Sequence, residues 1–170
     1  MRPVQIPCRF FRQVIDSTYL CRTCIDDIKI LCCLFIYIYD IVVILSESDD
    51  THRQIYTDGR GFPKEFAQPA WLGYSIGHWE RDTLVVETIG FNDKTRFDGI
   101  GHPHSEALRV TERYRRSDFG HMDVEMTFDD PKMYTKPFTI KVPYELQADS
   151  DIFESFCNEN EKDRSHFVQK

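Results

Sequence analysis

The stretch that decides the fold runs from Trp71 to Arg116 and reads WLGYSIGHWERDTLVVETIGFNDKTRFDGIGHPHSEALRVTERYRR. Apolar and polar residues alternate through 72–79, 82–90 and 106–116 with the two-residue period of half-buried β-strands. A short turn separates the first two segments, and a polar loop containing His102 and His104 precedes the third. The stretch therefore predicts a β-hairpin, a loop with potentially chemical side chains, and a third strand.

The same period continues on both sides of this stretch. It predicts further strands at 41–47, 52–57, 119–129, 138–146 and 151–157, separated by segments rich in Gly, Asp, Pro and Asn. Eight short strands joined mostly by short turns favour a mainly β, single-domain antiparallel up-and-down barrel of lipocalin-like type. The alternative is an open β-sandwich. A barrel of eight strands can enclose one small ligand.

The two ends of the chain differ in composition from the predicted barrel, because the N-terminal end is rich in cysteine and the C-terminal end is polar. We expect an irregular, Cys-rich N-terminal segment at 1–39, the barrel domain at 40–158 and a polar C-terminal tail at 159–170. Cys21 and Cys24 have the C-x-x-C spacing of zinc and redox sites. No second ligand pair and no strand-to-helix turn accompany them, so neither kind of site is favoured. The disulfide partner of Cys157 is left open.

Residues 28–45 form the most hydrophobic part of the chain. Lys29 and Asp40 interrupt the run, and charges near the centre of a bilayer are costly. Its β-branched and aromatic residues favour buried strands, and membrane association is considered only through this segment. The formal charge of −7 over 170 residues argues against nucleic acid as a partner. A small-molecule ligand is the expected partner, and the oligomeric state is left open.

Strand alternation also predicts which side chains face the barrel interior. Glu112 shares its strand face with apolar residues, so this carboxylate must be paired, hydrogen-bonded or neutral; a tyrosine or a distant arginine is the expected partner. With Glu80-Arg81 as the hairpin turn, Glu87 lies on the same face as Tyr74, and the sequence does not choose between the two hairpin faces. The candidate lining residues are Tyr74, His78, Trp79, Leu108, Tyr114, Met122, Met126, Phe138 and Tyr144.

The loop before the third strand carries the most suggestive short motif, His102-Pro103-His104-Ser105-Glu106. Two histidines separated by one residue on extended backbone project to one side, as metal sites in β-barrels require. His102, His104 and Glu106 are therefore candidate ligands, and a divalent transition metal is a candidate cofactor. The alternative is a loop-capping role in which the imidazoles bond to backbone or solvent.

Two functions follow from these residues. The first is a barrel that binds a small hydrophobic or aromatic molecule in its interior. The alternative is a small enzyme, an isomerase, lyase or metal-assisted hydrolase. Its acid–base groups would be His102 and His104 at the rim, with Glu112 or Glu87 inside.

The region from about Ile41 to Lys162 resembles a family of small, mostly uncharacterised bacterial proteins that are usually exported. The matching pieces are RQIYTDGRGFPKE, WLGYSIGHWERDTLVVETIGFNDKT, GHPHSEALRVTERYRR, VEMTFDDPKMYTKPFTI and FCNENEKDR. The resemblance covers roughly two-thirds of the chain and implies the β-rich fold and an extracytoplasmic location. Arg81 stands where the family has glycine in its hairpin turn. Residues 1–39 differ from the family's signal peptide and Cys-Pro-Pro stretch, and they contain no clean signal peptide.

Overall fold

The protein is organised as one curved sheet. The computed structural model describes residues 21–25, 28–30, 33–46, 51–65, 68–97 and 101–146, and this part of the chain contains ten strands and no helix. The strands are β1 (Cys21–Ile25), β2 (Ile28–Ile30), β3 (Cys33–Ile38), β4 (Ile41–Ser46), β5 (His52–Tyr56), β6 (Tyr74–Glu80), β7 (Thr83–Ile89), β8 (Arg109–Arg116), β9 (His121–Asp129) and β10 (Phe138–Leu146). None of the described segments forms a helix that could cross a membrane.

The strands β3 to β10 are neighbours in chain order and curl into a half-barrel. β1 continues the sheet beyond β10, and β2 pairs with β1. The mainly β, barrel-like prediction is therefore confirmed. One pair departs from the antiparallel meander, because β5 and β6 run parallel through Ile55–Ser75 and Tyr56–Ile76. Residues 57–73 return the chain to the end at which β5 began, as a parallel pair requires.

The segment 1–39 is not irregular throughout, because β1, β2 and β3 lie within it. β-Branched and aromatic residues explain why residues 33–38 form a strand despite their cysteine content. Cys21 and Cys24 lie three positions apart on β1, so their Cα atoms are about 10 Å apart. A disulfide needs about 4.4–6.8 Å, which excludes a C-x-x-C redox pair in this backbone. The predicted strand 151–157 and Cys157 lie outside the described residues.

The β6–β7 hairpin differs in register from the prediction. Its turn is Arg81-Asp82, with Glu80 opposite Thr83 and His78 opposite Val85, whereas the predicted turn was Glu80-Arg81. The predicted partners are wrong by two positions, but the faces are right because side chains alternate with period two. Arg81 has φ 58°, in the left-handed region that favours glycine. Arg81 therefore occupies a backbone conformation that glycine would adopt at lower cost.

The core lies on the concave face of the half-barrel. Its buried residues are Val42, Ile55, Leu84, Val86, Tyr114 and Val124. The ring of Phe35 on β3 meets the ring of Tyr114 on β8 with centroids 5.6 Å apart, so the curl brings distant strands into contact. A Cβ on Gly77 would lie 2.9 Å from Cγ2 of Ile55. Glycine at this position therefore permits β5 and β6 to pack closely.

Candidate functional site

Glu112 is a buried carboxylate on the concave face. It is 4% exposed, and its cross-strand neighbours Val86 and Met126 are apolar. Nη1 of Arg53 donates to Oε1 at 2.9 Å, and Nη2 of Arg53 donates to Oε2. The hydroxyl of Tyr114 donates to Oε1 at 2.9 Å. The prediction that a distant arginine or a tyrosine would pair with this carboxylate is confirmed for both residue types.

Arg53 connects four neighbouring strands. From β5 it donates through Nε to Oγ of Ser75 on β6 at 2.9 Å and through Nη2 to Oγ1 of Thr88 on β7 at 2.5 Å. The hydroxyls of Ser75 and Thr88 are 2.9 Å apart, and Glu112 lies on β8. Because β5 and β6 share only a short parallel ladder, this network secures β5 to the rest of the sheet.

The network also changes proton affinities. Burial opposes the charge on Arg53, but the Glu112 carboxylate outweighs it and holds the pKa of the guanidinium above its usual value. Burial and the adjacent Glu112 carboxylate raise the pKa of the Tyr114 phenol well above its usual range. Both shifts favour a charged arginine and a neutral tyrosine, which are the forms that donate hydrogen bonds to a carboxylate.

A catalytic role for Glu112 needs a carboxylate oxygen within hydrogen-bond reach of a substrate. Both oxygens are already engaged by Arg53 and Tyr114. In this geometry Glu112 is a hydrogen-bonded member of a buried network that joins β5 to β8. Arg53 was not among the candidate residues, although strand alternation, which places it on the inward face with Ile55, could have identified it.

His104 lies in the loop before β8 and is 4% exposed. Its Nε2 contacts Oγ1 of Thr95, and its Nδ1 lies 3.3 Å from the backbone oxygen of Ser105. The rings of Phe97 and Phe91 pack against the imidazole with centroids 5.3 and 5.9 Å away. His104 thus has the loop-capping role, with both ring nitrogens facing oxygen atoms of the same loop.

The loop is also fixed from the β9 side. The buried carboxylate of Asp130 accepts hydrogen bonds from the backbone nitrogen of Ser105 at 2.6 Å and from its hydroxyl at 2.8 Å. Burial opposes the charge on Asp130, but the bonds from Ser105 outweigh it and hold the pKa of the carboxyl below its usual value. The sequence indicated only a turn at 129–131, and nothing in the local pattern pointed to this contact.

The candidate metal ligands are not brought together. His104 is buried, whereas His102 and Glu106 are exposed, so the two imidazoles do not project to one side as predicted. Within residues 35–46, 51–65, 68–97 and 101–146, no group of three His, Cys, Asp or Glu side chains is arranged to hold a metal ion. The H-x-H prediction was wrong because aromatic contacts turn His104 inward.

Three further candidates lie on the convex face. Tyr74, His78 and Glu87 share the outer face of the hairpin, since the concave face carries Ser75 and Val86. Glu87 lies 3.4 Å from Nη1 of Arg109. Tyr74 and His78 therefore do not line the interior, and Glu87 does not join Glu112 inside the half-barrel. The four proposed acid–base groups are spread over the concave face, the convex face and the loop.

The remaining candidate lining residues do belong to the concave side. Leu108 and Tyr114 are buried there, while Trp79 is partly buried against the core. On β9 and β10 the inward residues are Met122, Val124, Met126, Phe128, Phe138, Ile140, Val142 and Tyr144, of which Val124 and Val142 are buried. Phe138 stacks on Phe128 with centroids 5.1 Å apart, and Phe97 from the loop packs against both rings. We call this inward face of β9 and β10 the open wall.

The open wall is buried at Val124 and Val142 but exposed at Ile140. Ile140 points inward beside Met126 and is nevertheless 40% exposed. Val86, two strands from Met126, is fully buried. The wall is therefore an accessible apolar surface bordered by the Arg53–Glu112 network on one side and by the Phe97 loop at one end.

Comparisons with protein-family models, curated proteins and solved structures find no match for the chain.

Proposed function

We propose that the protein binds a small hydrophobic or aromatic molecule against the open wall, as a barrel-type binding protein. The observation that supports this most directly is the 40% exposure of Ile140 on an inward face. An apolar side chain that points into a half-barrel and remains accessible gains about 25 cal/mol for each Å² that a ligand covers. The ligand would cover the open wall in the way that core side chains cover the inward faces of β4 to β8.

The composition of the wall supports an aromatic or otherwise compact apolar ligand. Met122 and Met126 are flexible and adapt to irregular shapes, and the ring of Phe138 offers a stacking surface. Glu112 is the cross-strand neighbour of Met126, but its oxygens are hydrogen-bonded to Arg53 and Tyr114. Glu112 would therefore contribute shape and rigidity to the binding surface instead of a free charge. The enzyme alternative requires a free acid–base group at the wall, and Glu112 and Glu87 do not supply one.

The experiment is a fluorescence titration with N-phenyl-1-naphthylamine, a neutral apolar probe. Ile140→Lys places a charge on the wall and is expected to weaken binding at least about tenfold. Thr139→Lys is the matched control, because Thr139 is the adjacent residue on β10 and faces outward. It should bind the probe like the wild type.

Two results would contradict the proposal. One is a wild-type protein that binds neither this probe nor any of a series of alkyl and aryl compounds. The other is an equal loss in Ile140→Lys and Thr139→Lys, which would place the binding surface elsewhere. Membership of the bacterial family and export from the cytoplasm stay predictions, and fractionation of cells that express the protein would test export.

A further inference from the structure

A second accessible surface lies on the convex face, on the opposite side of the sheet from the core. Two adjoining depressions there are both lined by Gln54, and their volumes are about 380 and 270 Å³. The first reaches Tyr39 in the β3–β4 turn, and the second reaches Leu72 before β6. We call the two together the outer groove. Small-molecule sites occupy about 300–1,000 Å³, so the first depression lies at the lower end of this range and the second just below it.

The outer groove combines exposed apolar surface with polar side-chain ends. Tyr39 is 87% exposed and Leu72 is 40% exposed. Between them lie Gln54, which accepts a hydrogen bond from the Tyr56 hydroxyl at 3.1 Å, and Arg60, which lies 3.9 Å above the ring of Tyr56. Aromatic surface therefore alternates with an amide and a guanidinium along the groove.

The charges of the groove exclude an anionic ligand. Arg60 donates through Nε to both oxygens of Asp58 at 3.0 and 2.9 Å and through Nη2 at 2.7 Å. This side-chain pairing holds the pKa of the Asp58 carboxyl below its usual value. The guanidinium is thus already paired with a carboxylate, and the chain as a whole carries a formal charge of −7. Neither a nucleic acid nor an acidic peptide finds a free positive charge in this groove.

A purely apolar ligand would match Ile38, Ile41 and Val43 in the first depression but not the polar part of the lining. It would cover Gln54, Asp58 and Arg60 and deprive their donors and acceptors of water without replacing those hydrogen bonds. Hydroxyl groups both donate and accept, so they match an amide, a carboxylate and a guanidinium in turn. A neutral polyhydroxylated chain with apolar C–H faces satisfies the aromatic and the polar parts of the lining together.

We propose that the outer groove binds a neutral oligosaccharide, with one sugar unit against Tyr39 and further units extending past Gln54 towards Leu72. This site is on the opposite side of the sheet from the open wall and does not depend on ligand binding there. The two depressions that share Gln54 favour a chain of units over a monosaccharide.

The test uses the full-length protein and an array of neutral oligosaccharides of glucose, galactose, mannose and xylose, followed by calorimetric titration. We expect at least one series to bind, with the trimer tighter than the monomer. Tyr39→Ala should weaken binding about five- to tenfold, the value of one ring contact, and Gln54→Ala should weaken it as well. Phe119→Ala is the matched control, because Phe119 is 61% exposed in a different hairpin.

The outcomes separate clearly. Absence of binding across the whole array, or binding only to peptides, overturns the proposal. Equal losses in Tyr39→Ala and Phe119→Ala also overturn it, because they indicate non-specific adhesion to exposed rings. Ile140→Lys should keep oligosaccharide binding in full, so failure of the apolar site on the open wall and failure of this one are distinguishable.

Discussion

The two parts of the concave face are built differently. From β5 to β8, apolar side chains are buried and Arg53 ties neighbouring strands to Glu112. On the open wall of β9 and β10, Val124 and Val142 are also buried, but Ile140 remains accessible. The buried ion-pair network of this face therefore lies on β5 to β8, whereas its exposed apolar residue, Ile140, lies on β10.

The largest expected effect comes from breaking the buried ion pair. Glu112→Ala should lower the free energy of unfolding by about 3–5 kcal/mol, because it leaves the Arg53 guanidinium without its counter-charge. The matched variant Glu125→Ala removes an outer-face pair in which Lys141 lies 2.9 Å away, and it should cost less than about 1 kcal/mol. Urea unfolding followed by tryptophan fluorescence measures both.

A double variant sharpens the same point. Arg53→Met with Glu112→Leu replaces both charges by apolar groups and should recover most of the stability lost in Glu112→Ala. If Glu112→Ala costs no more than Glu125→Ala, the pair does not carry the stability of this part of the face. The contrast between the two parts would then be one of exposure alone.

The second prediction compares packing on the two parts directly. Val86 is fully buried, so Val86→Ala should cost about 2–3 kcal/mol through lost burial and the cavity that remains. Ile140→Ala removes more atoms, yet it should cost less than about 1 kcal/mol, because 40% of that residue is already exposed. The same urea unfolding experiment decides. A larger loss for Ile140→Ala would mean that the open wall is part of the core.

The sequence predicted the strands well where alternation was strict. The bounds of 138–146 agree with β10 because each inward residue is apolar or aromatic and most outward ones are polar. The β6–β7 turn was misplaced because Glu80, Arg81 and Asp82 include no glycine to mark it. The parallel β5–β6 pair was not predicted, because it depends on a non-local fit between Gly77 and Ile55 that a single-strand pattern does not contain.

The candidate site was less predictable than the fold, for the same physical reason. Glu112 stood out because a carboxylate on an apolar face needs a partner, and that partner was inferred by type. Arg53 was overlooked because a charged residue in a short strand is usually exposed. His104 was taken with His102 as a pair, but contacts with Phe97 and Thr95, which precede it in the same loop, decide that it turns inward.

The third prediction concerns the loop that closes one end of the open wall. Asp130→Asn weakens the bonds from Ser105 and should cost about 1–2 kcal/mol at neutral pH. The pKa of Asp130 is lowered in the folded protein, so its contribution is fully present above the unfolded value near about 3.9. That contribution is lost as the pH falls through the folded pKa.

The measurement is the unfolding free energy of wild type and Asp130→Asn as a function of pH. The difference between them should be constant above about pH 5 and shrink as the pH is lowered below about 4. A difference that grows on acidification would show that the charge of Asp130 destabilises the loop. The open wall would then end in a strained segment instead of an anchored one.

The smallest expected effect is a gain, at the turn of the β6–β7 hairpin. Arg81 has φ 58°, and a residue with a Cβ in the left-handed region costs about 1–2 kcal/mol relative to one in the right-handed region. Arg81→Gly relieves that cost but enlarges the conformational freedom of the unfolded chain, so a net gain of about 0.5–1 kcal/mol is expected. Arg81→Ala keeps the Cβ and should gain nothing. If both variants gain equally, the arginine side chain and not its backbone conformation is the source of the cost. The β6–β7 turn would then contain no backbone strain that the packing of β5 to β8 has to offset.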